Sequence, residues 1–285
     1  MFIDSHCHLS FPELQARMPE LRQAMAEAQV DRALCICTTL EEFPQVHALA
    51  TAHDNFWCTV GVHPDNEGVQ EPTLDDLVQR AALPRVVAIG ETGLDYYRLN
   101  GRSVADMAWQ RERFRVHIRA ARSTRLPLVI HTRSASADTL AVLREEIEQA
   151  GQGAVRGVFH CFTETMDVAM AALEMGFHIS FSGILTFRNA EALREVARAV
   201  PLERCLIETD SPYLAPMPHR GKTNQPAWVT HVAAQLAVLK QQPLETVARV
   251  TSANAEALFG LGGAKKDAKV DAQKDAQKDV EKDAS

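Results

Sequence analysis

The sequence predicts a closed (β/α)8 barrel of the TIM type, followed by a short tail. Three observations carry this. Short β-branched or apolar runs alternate with longer amphipathic segments, eight such strand–helix units can be counted, and one run after another ends on a histidine or a carboxylate. The alternation is the pattern of a parallel sheet. Ligand-type residues far apart in sequence meet only if parallel strands deliver their carboxyl ends to one face. A chain of 285 residues with 46% hydrophobic content can bury the core that such a barrel needs.

The first strand is expected over Phe2 to His8, where His6 and His8, two apart, project to one side and Cys7 to the other. Pro19 can open the first long helix. Strands follow at Arg32 to Thr38 and at Phe56 to His63. The fourth covers Val86 to Glu91, with Gly90 and Gly93 letting the backbone turn sharply and bring the Glu91 carboxylate to a ligand. Ser103 can cap a helix running to about Arg122. Leu128 to His131, Gly157 to Phe162 and His178 to Phe181 supply three more strands, and Asn189 can cap a helix over Ala190 to Ala199. The last strand, Cys205 to Asp210, points Glu208 and Asp210 inward by alternation, with Asp210 nearer the mouth. The barrel is assigned to 1–262. From 263 to 285 a charged four-residue repeat, Asp271-Ala272-Gln273-Lys274 and Asp275-Ala276-Gln277-Lys278, has too little apolar content to join a core and is expected to be disordered.

A net charge of -7 excludes a surface coated in basic patches, so nucleic-acid contact would rest on a local group of cations around a site. No apolar run approaches the roughly 20 residues of a membrane-spanning helix. The six cysteines, Cys7, Cys35, Cys37, Cys58, Cys161 and Cys205, fall in apolar strand-like segments, and no secretory leader precedes Asp4. The expectation is reduced core thiols, a cytoplasmic location and no obligate protein partner.

Of the eleven histidines, His6, His8, His63, His131 and His160 sit at strand ends, whereas His47, His53, His117 and His231 lie in helical segments where an exposed or capping role is expected. His6, His8, Glu91, His131, His160 and Asp210 form an oxygen and nitrogen donor set without thiolate, which suits Zn²⁺, Mn²⁺ or Mg²⁺. Six donors exceed one tetrahedral ion. Two divalent ions about 3.5 to 4 Å apart, bridged by Glu91, would use them all, with Asp210 taking the proton of an activated water. Arg98, Arg102, Arg133, Arg188, Arg220 and Lys222 follow strand ends and could meet phosphates, Arg133, Arg220 and Lys222 foremost. Tyr96, Tyr97, Phe162, Phe187 and Tyr213 in the same loops could stack on unpaired bases.

The motifs Asp4-Ser5-His6-Cys7-His8-Leu9, Gly61-Val62-His63-Pro64, Gly90-Glu91-Thr92-Gly93-Leu94-Asp95-Tyr96, His131-Thr132-Arg133, His160-Cys161-Phe162 and Glu208-Thr209-Asp210-Ser211-Pro212-Tyr213 resemble those of the TatD-type metal-dependent deoxyribonucleases. The resemblance runs in order from residue 1 to about 260, through Arg220-Gly221-Lys222 with Asn224 and Pro226. It implies an amidohydrolase-superfamily barrel that hydrolyses DNA phosphodiesters, with exonuclease-type degradation of single-stranded or end-containing DNA. It also implies His6, His8, Glu91, His131, His160 and Asp210 as metal ligands, and His63 and Glu208 as candidates for phosphate contact or an additional metal. Where the family often reads Arg-Asn-Glu-Pro, this chain has Thr223-Asn224-Gln225-Pro226, which removes one basic and one acidic side chain from that loop. The alternative is hydrolysis of a small amide, ester or lactone on the same site. A barrel that only binds is the weakest alternative, because no ligand position is substituted.

Overall fold

A computed structural model describes residues 1–151 and 153–261. Eight parallel strands stand side by side in chain order: β1 Phe2–Cys7, β2 Val30–Cys35, β3 Phe56–Val60, β4 Val86–Asp95, β5 Leu128–Arg133, β6 Gly157–Phe159, β7 His178–Phe181 and β8 Cys205–Ile207. Just beyond β8 the chain meets β1: the Asp210 N–H donates to the His6 carbonyl at 2.9 Å and the His8 N–H to the Ser211 carbonyl at 2.8 Å. The fold is the expected (β/α)8 barrel. The charged repeat at 263–285 lies outside the described residues.

The connecting helices are α1 Pro12–Gln15, α2 Met18–Glu27, α3 Phe43–Ala52, α4 Leu74–Ala81, α5 Ala108–Thr124, α6 Ser136–Ala150, α7 Met166–Glu174, α8 Glu191–Ala199, α9 Val229–Lys240 and α10 Leu244–Phe259. Period-two alternation sorts each strand between two apolar layers. On and just after β2, Leu34 and Ile36 join the inner cluster with Ile3, Trp57, Val129 and Leu206, while Ala33, Cys35 and Cys37 face the helices. The end of α10 supplies Leu258 and Phe259 to the inner cluster. Arg32 and Arg156, beside the starts of β2 and β6, donate to the Leu261 and Leu258 carbonyls, so this segment stoppers the N-terminal end of the barrel. The opposite, C-terminal end stays open.

Several local expectations are corrected. β4 does not stop at Glu91 but runs on to Asp95, with an irregular register against β5 between Ile89 and Thr92. The glycine at 93 serves close approach rather than a sharp turn, since a Cβ there would lie 1.9 Å from the His131 carbonyl oxygen. Asn189 does not cap α8: Ala190 occupies the cap position without a side-chain bond, and the Ala190 N–H is used in a turn to the Phe187 carbonyl. Ser103 lies before a 3-10 turn, Ala105–Met107, that precedes α5, and it donates through N and Oγ to Asp106. All six thiols are free, but Cys161 is only partly buried, because β6 ends at Phe159 and leaves it at the cavity wall.

Candidate metal centre

The open end of the barrel gathers side chains from β1, β4, β5 and the segments just after β3, β6 and β8. His6 and His8 both approach Asp210 Oδ1 through Nε2, at 3.5 and 3.4 Å, while Cys7 points away with its thiol toward the Leu34 carbonyl. Glu91 sits between two groups of imidazoles. Its Oε2 lies 3.4 Å from His6 Nε2 and 4.0 Å from His8 Nε2. Its Oε1 lies 2.7 Å from His160 Nε2, 3.3 Å from His131 Nδ1 and 3.4 Å from His63 Nε2. All six residues of the expected ligand set therefore converge, with Glu91 shared between two subclusters.

The donor chemistry fits divalent cations. Buried His6 Nδ1, His6 Nε2, His8 Nδ1 and Glu208 Oε2 have no hydrogen-bond partner. Orphaned nitrogens and oxygens of this kind cost free energy unless something between them satisfies their lone pairs. The triads His6–His8–Glu91 and His63–Glu91–His131 each bring three potential ligand atoms within 4.8 Å of one another. Their electrostatics agree. Burial alone would raise the Glu91 pKa, but the charges of His160, His63 and His6 outweigh it and hold the carboxyl well below its usual range. Burial opposes a charge on His160, yet Glu91 and Glu208 raise its pKa well above the ordinary value. For His6, burial and the neighbouring His160 charge lower the pKa.

Supporting groups fix the imidazoles. His131 Nε2 donates to Asp95 Oδ2 at 2.9 Å, which in the neutral ring leaves an Nδ1 lone pair facing Glu91. Asp95 is itself clamped by Gln110, which accepts from the Asp95 N–H and donates to its carbonyl. His160 Nδ1 meets Glu208 Oε1 at 3.3 Å, and the same oxygen accepts the Cys161 N–H at 2.8 Å. Glu208 is thus buried behind His160 and is not on the cavity wall. Asp4, wholly buried, accepts from Thr209 N at 2.9 Å and Thr209 Oγ1 at 2.6 Å, tying the His6 and Asp210 segments together; burial pushes its pKa up to about 8.

Neither the Asp95 nor the His117 role was assigned from sequence. Asp95 carried a signal, since it lies four residues beyond Glu91 on one strand and a ligating histidine needs an acceptor for its far nitrogen. His117 was expected to be exposed or capping. It is fully buried in the stripe formed by Phe114, Ile118 and Ala121, and its Nε2 accepts the Val62 N–H at 2.9 Å beside His63.

A cavity of about 710 Å³ opens over the cluster, walled by Phe11, His63, Arg98, Arg133, Cys161 and Tyr213 among others. Arg133 lies over the Tyr97 ring, 3.6 Å from its centroid. Arg220 and Lys222 are not brought to this wall: Arg220 stacks on Phe187 at 3.7 Å and donates to the Ala215 carbonyl, and Lys222 is exposed beyond it. Arg102 is held by Glu67. Of the aromatics, Tyr96 and Phe162 are buried, Tyr96 with its hydroxyl on Asp138, so neither offers a free face. The departures at Thr223 and Gln225 also lie off the wall, while Asn224 is buried and pins the loop through the Thr209 and Tyr213 carbonyls.

Fold and site together define a (β/α)8 barrel whose open end carries a histidine–carboxylate cluster suited to divalent metals. Residues 3–260 match the family model of the TatD related DNases. The chain is 46% identical over 268 residues, 92% of this chain and 97% of the relative, to the Escherichia coli (strain K12) protein named uncharacterized metal-dependent hydrolase YcfH. It is 36% identical over 240 residues, 82% of this chain and 88% of the relative, to the Citrobacter rodentium protein named 3'-5' ssDNA/RNA exonuclease TatD. Among solved structures it is similar to YJJV, a TatD homologue from E. coli K12, with TM-score 0.81, 28% identity and coverage of 91% of this chain and 98% of that one. The chain belongs to the TatD family of metal-dependent hydrolases. Among the described residues no helix is long and apolar enough to cross a membrane.

Proposed function

We propose that this protein hydrolyses phosphodiester bonds of DNA from an end or in single strands, using a pair of divalent cations. The observation that carries the reading is the placement of Glu91, whose two oxygens face separate groups of imidazoles. His6, His8, Asp210 and Glu91 Oε2 would hold one ion, and His131, His160 and Glu91 Oε1 the other. Bound there, Zn²⁺, Mn²⁺ or Mg²⁺ would supply acidified water and charge neutralisation.

The remaining work falls to the protein's own groups. Asp210 takes up the proton of the attacking water through its other carboxylate oxygen, Oδ1 being turned to His6 and His8 Nε2 at 3.5 and 3.4 Å. Arg133 and Arg98 on the cavity wall meet non-bridging phosphate oxygens, which a neutral amide or lactone would not require. The exposed ring of Tyr213, 53% accessible on the cavity wall, offers a face on which an unpaired base can stack. Stacking of that kind favours a frayed end or a single strand, because a paired base has no free face.

The test combines elemental analysis with cleavage of a single-stranded oligonucleotide at low salt. Wild-type protein should carry two ions per chain and release mononucleotides, and chelator should abolish both. Glu91→Ala should lose nearly all cleavage, because removing a shared ligand disturbs both ions. Retention of full activity by Glu91→Ala, or turnover of lactones and amides but of no phosphodiester, would overturn the proposal.

A further inference from the structure

A second concave site lies at the other end of the barrel from the metal centre. α5 ends at Thr124 and β5 begins at Leu128, so the turn between them belongs to the N-terminal side, as does Arg156, which directly precedes β6. Together with the last turns of α5 and the first residue of α4, these segments border a cavity of about 810 Å³. Its lining carries four arginines, Arg119, Arg122, Arg125 and Arg156, and no aspartate or glutamate among the described residues. In a chain with a net charge of -7, so many cations in one hollow run against the overall balance.

Most of that charge has no counterpart. Arg119, Arg122 and Arg125 follow one another at intervals of three, a spacing that sets like charges side by side along a helix, where they repel. One buried carboxylate, Glu146 on α6, meets Arg119 at 2.8 Å and Arg122 at 3.5 Å, and Glu112 reaches Arg119 at 3.6 Å. Arg156 gives its guanidinium to the backbone carbonyls of Leu258 and Arg125, which hold it in place without cancelling its charge. Arg125, exposed, occupies the left-handed position that ends α5, with φ 58°. The carbonyl end of a helix attracts arginines on its own account, but the Arg125 side chain donates to no acceptor among the described residues.

We propose that this bay binds a small polyphosphate anion. A guanidinium presents paired N–H donors that match the oxygens of a phosphate, and cations supplied by separate segments are met by a ligand with more than one phosphate. A volume of about 810 Å³ is that of a small-molecule site, whereas a nucleic-acid backbone needs an open track. Leu74, 41% exposed, and the partly buried Leu126 add an apolar side to the bay. Because Arg156 is already fastened by two carbonyls, less side-chain freedom is lost when an anion arrives. The bay shares no residue with the wall of the metal centre, so it stands independently of the phosphodiester reading above.

The probes are pyrophosphate and a nucleoside triphosphate, titrated into the full chain by calorimetry and followed by amide NMR, with the protein both zinc-loaded and stripped of metal. Both probes should bind, and the tighter of the two tells whether the polyphosphate is free or nucleoside-borne. Amides of residues 122–126 and 153–156 should shift in the same way in the two forms of the protein. Arg125→Ala should weaken binding about tenfold or more, the loss expected when a charged ligand gives up a hydrogen-bonding group, with turnover at the metal centre unchanged. Arg125→Glu should abolish binding, and Arg133→Ala should bind as wild type does. Binding that follows the metal content, shifts confined to the metal cavity, or wild-type affinity in Arg125→Ala would each overturn the proposal. A single-stranded oligonucleotide that shifts the same amides more tightly than either probe would also overturn it, by making the bay a nucleic-acid site. Since the Arg125 side chain holds no partner among the described residues, its replacement should leave folding intact; the amide shifts of wild type need no variant at all.

Discussion

Replacing Asp95 by asparagine should weaken one half of the metal centre while leaving the fold and the other half in place. Asp95 is 5% exposed, and its two oxygens have separate tasks: Oδ1 accepts the Tyr97 N–H at 2.9 Å and Oδ2 accepts from His131 Nε2 at 2.9 Å. An asparagine side chain has only one oxygen. If that oxygen keeps the Tyr97 N–H, the NH₂ group faces His131 Nε2, and two donors cannot share that gap. His131 is driven to the tautomer with its proton on Nδ1, the atom that lies 3.3 Å from Glu91 Oε1. The lone pair meant for an ion is then lost, by the same logic that makes an Asp-to-Asn change in a catalytic triad impose the wrong histidine tautomer. Changes to carboxylates that orient ligating histidines cost about 10- to 100-fold in metal affinity, or roughly 1.4 to 2.7 kcal/mol. Calorimetric titration of the metal-free protein with zinc should show one site weakened by that factor and one unchanged. Asp95→Glu provides a control that keeps the acceptor and changes only its reach. Wild-type affinity at both sites in Asp95→Asn would refute the claim that Asp95 sets the His131 tautomer.

Other consequences follow from the same geometry. Gly93→Ala should destabilise the fold by about 3 kcal/mol or more, because its Cβ would meet the His131 carbonyl at 1.9 Å at a φ of +135°; Gly221→Ala, at a φ of +82° but with nothing within 4 Å, should cost only the backbone strain, about 1 to 2 kcal/mol, in the same urea titration. Arg133→Ala should lower phosphodiester turnover about tenfold with metal content unchanged, as expected for loss of one charge-assisted bond, and loss of metal instead would contradict its placement on the cavity wall. Burial lowers the His117 pKa from 6.5 to about 4, so the unfolded chain binds this proton first and stability is fully present above pH 6.5 and lost as pH falls toward 4. Relative to His117→Gln, wild type should lose about 3 kcal/mol across that window, measured by denaturant unfolding at successive pH values; parallel pH profiles would mean His117 is not held neutral.

The fold and the convergence of the six candidate ligands are legible for one reason: a strand alternates with a fixed period, so sequence alone says that His6 and His8 share a side and that Cys7 does not. The same rule places Asp210 at the mouth, and Asp95 on the Glu91 face once β4 continues past Gly93. Gly90 and Gly93 imitate a turn in the sequence, whereas β4 needs them to lie against β5. His117 was illegible for a different reason. A helix face says that a residue is buried, but not which backbone N–H of a neighbouring strand will reach its imidazole.

Loops resist the approach altogether. Arg133 reaches the cavity because it is the last residue of β5 and inherits that strand's direction. Arg220 and Lys222 follow β8 by more than ten residues, and the path between is set by bonds that no local pattern announces, such as Asn224 holding the Thr209 and Tyr213 carbonyls. Distance along the chain from the last barrel residue is therefore the quantity that governs how well a site residue can be assigned here. By that measure the six candidate ligands, all on strands or within three residues of their ends, are the most firmly placed side chains of the site, and each further residue of the long loop after β8 weakens the strand's hold on where a side chain points.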